Sequence, residues 1–484
     1  MHLPDVRARF ARLLPVLLMT LACPPVSAAD PSEIQRELDA LREKHGVAGF
    51  AIAIVRPGEP PFLGGGGLAT REPPRPVAPD TIWRVGSITK SFTGVATLIA
   101  AREFGFSLDD PVAHHVPDPP YRNRWEDKHP VRIAHLLEHT AGLLDLSRRE
   151  FDSSDPAPLT LAQAFAVDPD AHVTQWPPGL HSSYSNVGAG IASLVVERLS
   201  GQSFEAFLAS RVLVPLGMRD SGLLLDERTR DRLATGYDRD GRSVMPYWHV
   251  IFRAFGGLNA TTADMARYLD WLLRPDGAPL LTRVERERME TPRTTLTART
   301  GLRYGYALGL YGYDHEGLLW AGHGGDADGY LSRLGTLPGT GIGYFLTINA
   351  FNGDALEEMQ ARLESWLTAG LPRPPKPPIA KLAPAQLEAL AGCYAAATRR
   401  FSWTTEDMDL ILSVRAEGDR LIARNPTGRE RQWLPVNGEH FRRPDEPVAT
   451  LGFARDADGT LFVQGDMGTF RRTRERPEEP CPPP

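Results

Sequence analysis

The pair Ser87 and Lys90 has the residue types and the spacing that nucleophilic catalysis needs. A serine hydroxyl attacks a carbonyl carbon weakly unless a neighbouring group accepts its proton. On a helix, residues three apart share a face, so the Lys90 amine would lie within reach of the Ser87 hydroxyl. An amine can accept that proton if burial and nearby cations hold its pKa well below about 10.4. The Ser-x-x-Lys spacing therefore predicts acyl transfer through a serine nucleophile.

A phenol and an amide follow further along the chain, at Tyr184 and Asn186. The phenol can relay a proton to a leaving group, and the amide can orient a substrate. A second Tyr-x-Asn, at Tyr121 and Asn123, lies in a charged, proline-flanked stretch and is interpreted as a solvated loop. Tyr184 instead follows a Pro-Pro-Gly turn and precedes an apolar helix, which favours it as the site residue.

His323, Gly324 and Gly325 form a third group of candidate residues. The glycines would let a substrate approach an edge strand closely, and a backbone N–H there could complete an oxyanion hole. Ser87 would supply another such N–H, because the first amides of a helix have no partner within it.

Helices and strands that could position these residues are visible in the hydrophobic pattern. Apolar residues repeat at helical spacing over 92–104, 187–199 and 265–273. Residues 47–55 are predicted to form a strand, and the glycine run at 64–67 belongs to a second strand or its turn. That run lacks the Gly-Lys-Ser/Thr of a phosphate-binding loop, so close backbone packing is the favoured interpretation.

The composition changes after residue 370, which predicts a second domain. Residues 371–383 form a Pro-rich linker, and 477–484 form a Pro-rich tail. Between them, over 384–476, short strands alternate with turns and predict a small antiparallel β-barrel or sandwich. The catalytic residues then belong to a domain spanning 30–370.

The overall charge excludes few function classes, but the scarcity of lysine among the basic residues makes Lys90 informative. The 484 residues include 54 basic and 60 acidic side chains, for a net charge of −6, which gives no reason to expect a nucleic-acid partner. Five of the basic residues are lysines. A lysine at position 90 is expected if that group must lose its proton, because arginine effectively cannot.

Residues 1–29 have the pattern of an export signal, with a basic start and an apolar stretch too short to span a bilayer. We expect cleavage near Ala28 and Ala29, and a periplasmic or secreted protein. A lipid anchor at Cys23 is the alternative, and Pro24 directly after it counts against that interpretation.

Two cysteines, Cys393 and Cys481, remain after cleavage of this segment. In an oxidising compartment they could form a disulfide that joins the tail to the last domain. The alternative is two unrelated thiols, and the sequence leaves both open.

The order Ser-x-x-Lys, Tyr-x-Asn, His-x-Gly resembles the serine β-lactamase-related family. Its members include class C β-lactamases, D-alanyl-D-alanine carboxypeptidases, D-aminopeptidases and related esterases. Residues 81–86, 136–143 and 256–258 also look like family segments, and the resemblance covers about 33–370. It implies an α+β fold, an antiparallel sheet flanked by helices, and a small lipocalin-like barrel of the kind often appended at the C-terminus.

The resemblance also implies roles for the site residues. Ser87 would form the acyl-enzyme, with proton transfers through Lys90 and Tyr184. The N–H groups of Ser87 and Asp326 would form the oxyanion hole. Other contacts to substrate are implied for Asn186, His323 and Gly325. No metal or organic cofactor is implied, and the substrate would be a small molecule or a peptide, with contact to peptidoglycan as a further expectation.

One departure from the family pattern bears on the substrate. Class C β-lactamases carry lysine where this chain has His323. That lysine helps to hold an anionic substrate group, so the resemblance favours the esterase and peptidase branches over strong β-lactamase activity.

Two other functions compete with this interpretation. His135, Glu138 and His139 spell His-x-x-Glu-His, and on a helix the two histidines would share a face as zinc ligands of a peptidase. Alternatively, the fold could serve as a silent scaffold, or as a binding protein for D-amino acids or peptidoglycan. The presence of all three residues, Ser87, Lys90 and Tyr184, argues against a catalytically inactive protein, because binding alone needs no activated nucleophile.

Overall fold

The computed structural model describes residues 30–151, 153, 157–404, 410–425, 428–465, 468–475 and 481. The predicted export segment at 1–29, with Cys23 and the cleavage site, lies outside the described residues, as does the tail except for Cys481. Among the described helices, none combines the length and apolarity needed to cross a membrane.

Eleven strands of the first domain lie within the described residues. They are β1 (Gly49–Val55), β2 (Phe62–Thr70), β3 (Arg75–Pro76), β4 (Ile82–Arg84), β5 (Gly236–Tyr237), β6 (Val244–Met245), β7 (Asn259–Thr261), β8 (Tyr311–His315), β9 (Leu318–Ala327), β10 (Tyr330–Leu337) and β11 (Ile342–Ile348). Seven of them form one antiparallel sheet in the order β3-β2-β1-β11-β10-β9-β8, while β4 pairs with β7 and β5 with β6.

The helices of the described chain flank this sheet, except the last of them, which packs against the C-terminal barrel. They are α1 (Pro31–Lys44), α2 (Thr89–Phe104), α3 (Val112–His115), α4 (Ile133–Leu137), α5 (Arg148–Phe151), α6 (Leu161–Phe165), α7 (Asn186–Ser200), α8 (Phe204–Leu208), α9 (Glu227–Arg230), α10 (Arg253–Gly256), α11 (Thr262–Leu272), α12 (Arg283–Met289), α13 (Leu296–Arg299), α14 (Gly353–Leu367) and α15 (Pro384–Glu388). A 3₁₀ turn at Gly86–Ile88 leads into α2, and a π-helical turn covers Ala209–Leu213.

Alternation along β1 explains why the sheet has helices on both faces. Phe50, Ile52 and Ile54 pack in one apolar cluster with side chains of α1 and α14. Ala53 and Val55 face the other side and belong to the larger cluster that contains α2, α7 and α11. Because successive side chains of a strand point to opposite faces, an almost wholly apolar strand is expected where both faces are buried.

The C-terminal region is a closed eight-stranded antiparallel barrel, and the predicted fold class is therefore confirmed. Its strands are β12 (Gly392–Ala396), β13 (Ile411–Glu417), β14 (Arg420–Arg424), β15 (Glu430–Pro435), β16 (His440–Arg442), β17 (Leu451–Arg455), β18 (Leu461–Gly465) and β19 (Gly468–Arg474). Large apolar side chains such as Tyr394, Trp433 and Phe453 fill its interior.

The segment 371–383 carries neither helix nor strand and joins the two domains. Cys393, on the first barrel strand, is disulfide-bonded to Cys481, with 5.8 Å between their Cα atoms. The end of the described chain is thus held against β12.

Candidate active site

Ser87 lies in the 3₁₀ turn before α2, and the backbone there touches strand β9 directly. Gly86 has a φ of +55°, and a Cβ on it would lie 2.6 Å from the backbone nitrogen of Asp326. Only glycine fits both that backbone conformation and that approach. The residue before Ser87 therefore brings the turn against Asp326.

The Lys90 amine, which is 3% exposed, has three oxygen neighbours. Its Nζ lies 3.0 Å from the Ser87 Oγ, 2.7 Å from the Asn186 Oδ1 and 2.9 Å from the backbone oxygen of Phe255. The amide and backbone oxygens can only accept hydrogen bonds, whereas a hydroxyl can also donate. In a neutral amine the two N–H groups therefore go to Asn186 and Phe255, and the lone pair is left facing Ser87.

Burial lowers the pKa of Lys90 well below its ordinary value. The nearby Asp145 carboxylate opposes this shift, while the Arg400 guanidinium adds to it. A neutral amine beside a serine hydroxyl can accept its proton, so the arrangement is suited to general-base chemistry.

Tyr184 lies just before α7, where it flanks the same amine. Its ring centroid is 4.7 Å from the Lys90 Nζ. Burial raises the pKa of the phenol, and a hydrogen bond with the Ser87 side chain partly offsets that rise. A neutral phenol in this position can pass a proton between Lys90 and a group bound next to Ser87.

Asp145 and Arg400 complete the arrangement, and sequence reasoning missed both. The Asp145 carboxylate accepts hydrogen bonds from the backbone N–H of Asn186 at 2.7 Å and from its side-chain Nδ2 at 3.2 Å. The Arg400 Nε donates to the same carboxylate at 2.9 Å. Asp145 thus fixes the side-chain amide that holds Lys90, and Arg400 balances the carboxylate charge.

His323 lies on β9 and is kept neutral by its surroundings. Burial, and next the Lys90 charge, lower its pKa to about 3. Its Nε2 lies 2.6 Å from the hydroxyl of Tyr306, a residue that sequence reasoning also missed. At neutral pH this position therefore carries no positive charge for an anionic substrate group.

The edge of β9 beyond Gly322 offers backbone donors to the site. β8 pairs with β9 only as far as Gly322, and the next outward N–H, that of Gly324, donates to the Tyr311 hydroxyl at 3.0 Å. Since N–H directions alternate along a strand, that of Asp326 faces the same edge. Because Gly86 packs against Asp326, the Ser87 amide lies next to this edge, and a shared oxyanion hole of the two amides stays a prediction.

Gly325 packs closely against the segment that precedes Ser87. A Cβ on it would lie 1.9 Å from the backbone oxygen of Val85, in the segment that leads to Ser87. Glycine is therefore required here by the protein's own packing, and contact of Gly325 with substrate stays a prediction.

The inverted zinc motif does not form a ligand set. Helix α4 ends at Leu137 and His139 has a φ of +57°, so the predicted shared face of His135 and His139 is wrong. Glu138 bonds to the Arg288 guanidinium, to the backbone amides of Arg293 and Thr294, and to the Thr294 hydroxyl. Throughout the described ranges, no three His, Cys, Asp or Glu side chains are grouped as metal ligands.

The second Tyr-x-Asn is also placed differently from the prediction. Tyr121 is only 8% exposed and packs within the main apolar cluster, so the interpretation as a solvated loop is wrong. Asn123 accepts hydrogen bonds from the Trp125 backbone and the Thr174 hydroxyl. This pair closes a loop and lies apart from Ser87.

A cleft of about 650 Å³ opens above Ser87. Its walls are partly aromatic, from Trp248, Phe255 and Tyr311, and partly charged, from Arg84, Arg333, Asp328 and the barrel residue Arg400. A cleft of this size accepts a drug-sized molecule or a short peptide.

This fold is that of penicillin-binding proteins and β-lactamases, and Ser87, Lys90 and Tyr184 meet in its cleft. Residues 34–365 match the sequence profile of the Beta-lactamase family, and the chain belongs to that family. The family is one of serine hydrolases, as the resemblance implied.

Individual relatives differ in name and in coverage. Penicillin-binding protein 4 of Amycolatopsis lactamdurans is 29% identical over 75% of this chain and 97% of its own length. A β-lactamase of Yersinia enterocolitica is 28% identical over a match that covers 51% of this chain and 60% of that protein. Esterase EstB of Burkholderia gladioli is 32% identical over 43% of this chain and 56% of its own.

Among solved structures, the octameric penicillin-binding protein homologue from Pyrococcus abyssi superposes with a TM-score of 0.59 at 24% identity. The match covers 92% of this chain and all of that one. At this identity the similarity shows the fold alone, and it extends across both domains.

Proposed function

We propose that this protein is an exported serine hydrolase that cleaves an amide or ester bond through an acyl-enzyme at Ser87. The distance of 3.0 Å between the Lys90 Nζ and the Ser87 Oγ, with the pKa of the amine lowered by burial, carries the proposal. Relatives named as penicillin-binding protein and esterase support a substrate with an amide or ester bond.

In the proposed reaction, the Ser87 Oγ bonds to the carbonyl carbon as its proton passes to the Lys90 Nζ. The Ser87 and Asp326 amides hold the oxyanion that develops. When the bond to the leaving group breaks, the proton moves from Lys90 through the Tyr184 phenol to that group. Water then attacks the acyl carbon and gives a proton to the same base. The bond between that carbon and the Ser87 Oγ breaks, and the base returns the proton to Oγ, which restores the free hydroxyl.

Four substrate classes fit the proposed reaction: a β-lactam, a D-alanyl peptide, a D-amino-acid amide and a simple ester. The neutral His323 favours the last two, because a neutral imidazole gives no charge to pair with the carboxylate of a β-lactam or of a D-alanyl-D-alanine peptide. One buried polar contact can change such preferences by large factors. Parallel assays with nitrocefin, a D-alanyl-D-alanine peptide, a D-amino-acid amide and p-nitrophenyl esters would rank the four.

Labelling tests the nucleophile itself. Mass spectrometry after incubation with a fluorophosphonate should show one adduct on the peptide containing Ser87, absent from Ser87→Ala. No adduct with either a fluorophosphonate or penicillin would contradict the proposal and favour a silent D-amino-acid or peptidoglycan-binding protein.

The Cys393–Cys481 disulfide supports export, because such bonds persist in oxidising compartments. Periplasmic or secreted location and peptidoglycan contact are part of the proposal. Fractionation of cells that produce the full chain, with osmotic-shock release, tests the location.

A further inference from the structure

A second cavity, of about 350 Å³, lies outside the catalytic cleft and is lined by four arginines. Arg132 precedes α4, Arg288 lies on α12, and Arg293 and Arg299 come from the segment that follows it. Among the described residues, none lines both this cavity and the cleft above Ser87. The two sites are therefore separate.

The charges around this second cavity are unbalanced. Four guanidinium groups face two carboxylates, Asp109 on the rim and Glu138 behind Arg288. Glu138 is already engaged by the Arg288 side chain, two backbone amides and the Thr294 hydroxyl. Two positive charges are thus in excess around a space that can hold a small molecule.

Two of these arginines keep most of their donors for a ligand. The Arg299 Nη2 donates to the backbone oxygen of Gly179 at 2.7 Å. For the Arg293 side chain, no hydrogen bond or ion pair is found within the described residues. Both residues are exposed overall, and partial burial of the Arg299 guanidinium, followed by the Arg132 charge, lowers the pKa of Arg299. The two charges therefore repel one another when the cavity holds no anion.

His135 adds a neutral donor to the same wall. Its Nδ1 accepts the backbone N–H of Arg132 at 3.2 Å, so the neutral ring carries its proton on Nε2. Burial, followed by the Arg299 and Arg132 charges, lowers the pKa of His135 to about 3. The imidazole therefore donates a hydrogen bond without adding to the repulsion.

We propose that this arginine-lined cavity is a binding site for a phosphate-type oxyanion. Guanidinium groups pair with phosphate oxygens through two parallel hydrogen bonds, and they do so more specifically than lysine. A bound phosphate group would neutralise the excess charge and use the donors of Arg293, Arg299 and His135. This site is independent of the proposed function, and no step of catalysis depends on it.

Calorimetric titration of the full-length protein with inorganic phosphate, at constant ionic strength with chloride, tests the site. We expect Arg293→Gln/Arg299→Gln to weaken the phosphate Kd at least tenfold. Arg293→Gln alone, which removes no contact found within the described protein, should weaken it several-fold. The matched control is Arg122→Gln/Arg124→Gln, which removes two charges from exposed side chains outside the cavity and should leave the Kd within twofold.

A phosphate group could belong to a soluble molecule or to a lipid headgroup, and vesicle sedimentation separates the two sources. Binding of phosphate without binding to phosphatidylglycerol vesicles indicates a soluble ligand. Sedimentation with those vesicles, lost in the cavity variant and kept in the control, indicates a headgroup. Absence of phosphate binding by the wild-type protein, or equal affinity in the cavity and control variants, would overturn the proposal.

Discussion

The guanidinium of Arg400 lies over the ring of Tyr184, with 4.7 Å between its Cζ and the ring centroid. Arg400 follows the first strand of the barrel, whereas Tyr184 belongs to the catalytic domain. The backbone oxygen of Arg400 also accepts the N–H of Asp145 at 2.8 Å. The barrel therefore contributes a charged residue to the wall of the catalytic cleft.

Replacement of this guanidinium is expected to alter the pH dependence of the reaction. In Arg400→Gln the positive charge that lowers the pKa of Lys90 is lost, and Asp145, which raises it, is no longer balanced. The amine then stays protonated to a higher pH, so the acidic limb of kcat/KM should move upward. The pH profile with a p-nitrophenyl ester measures this shift.

Arg399→Gln is the adjacent control, because Arg399 contacts the catalytic domain through its backbone oxygen, which accepts from the Ser183 hydroxyl. Its profile should match that of the wild type. An unchanged acidic limb in Arg400→Gln, with the fold intact by circular dichroism, would show that Arg400 has no influence on Lys90.

Lys90→Arg should lower turnover by orders of magnitude although it conserves charge. An arginine side chain keeps its proton at any working pH and cannot accept one from Ser87. Loss of a general base typically costs roughly 10²–10⁴-fold in rate. The comparison of kcat/KM with the wild type, at equal thermal stability, checks this. Activity within threefold of wild type would remove Lys90 as the base.

Tyr184→Phe should separate poor leaving groups from good ones. An amine leaving group needs a proton, so amide hydrolysis should fall by roughly 10²-fold or more. A p-nitrophenolate leaves without one, so ester acylation should fall much less. Burst kinetics with both substrates measure the ratio. Equal losses on amide and ester would assign Tyr184 a structural role only.

Gly325→Ala should destabilise the protein and displace the segment before Ser87. The new Cβ would lie 1.9 Å from the Val85 backbone oxygen, and overpacking of this kind costs about 1–3 kcal/mol. Gly353→Ala, where a Cβ meets nothing within 4 Å, is the matched control. Urea unfolding compares the two. A Gly325→Ala variant as stable as its control would contradict the described contact.

Stability should fall as the pH is lowered from 7 towards 4. Burial lowers the pKa of His135 and His323 to about 3 and that of His181 to about 4. Below the unfolded value of about 6.5 the unfolded chain binds more protons than the folded one, so stability drops until the folded pKa is reached. Each histidine contributes at most about 1.4 kcal/mol per pH unit in that window.

Denaturant unfolding at pH 7 and pH 5 measures this slope, and His181→Leu should reduce it by the share of one histidine. His181 packs against the barrel residue Phe462, with 4.4 Å between ring centroids, so leucine keeps an apolar contact there. An identical slope in the variant would mean that other groups control the acid sensitivity.

The sequence predicted the residues around Ser87 better than the residues that support them. Ser87, Lys90 and Tyr184 lie in short motifs, and the helical turn that leads into α2 brings the first two together by local geometry alone. Asp145 left one signal, a carboxylate within the apolar run Leu143 to Leu146, since a buried acid there needs partners. Arg400 has no such signal in the sequence, because its contacts with Tyr184 and Asp145 depend on how the two domains dock.

The zinc motif is the reverse case, in which the sequence suggested a site that the structure does not contain. His135 and His139 have the right spacing for one helix face, but α4 ends at Leu137. Glu138 binds the backbone amides of Arg293 and Thr294 instead of a metal. Spacing predicts a shared face only where the helix continues. The first helix-breaking residue that follows the motif in the sequence is Gly142, which lies beyond the point where α4 actually ends. Glu138, directly after the helix, makes tertiary hydrogen bonds that no local sequence pattern contains.

The pairing of β1 with β11 also constrains how this protein reaches its native state. Ile52 lies beside Leu346, so the centre of the sheet forms only after most of the polypeptide has been synthesised. Until then the seven apolar residues of β1 have an unpaired edge on that side, a feature typical of aggregation-prone segments. Contacts so distant in sequence also slow folding. We therefore expect the nascent chain to be prone to aggregation through its first strand until the last strand of the sheet has been synthesised.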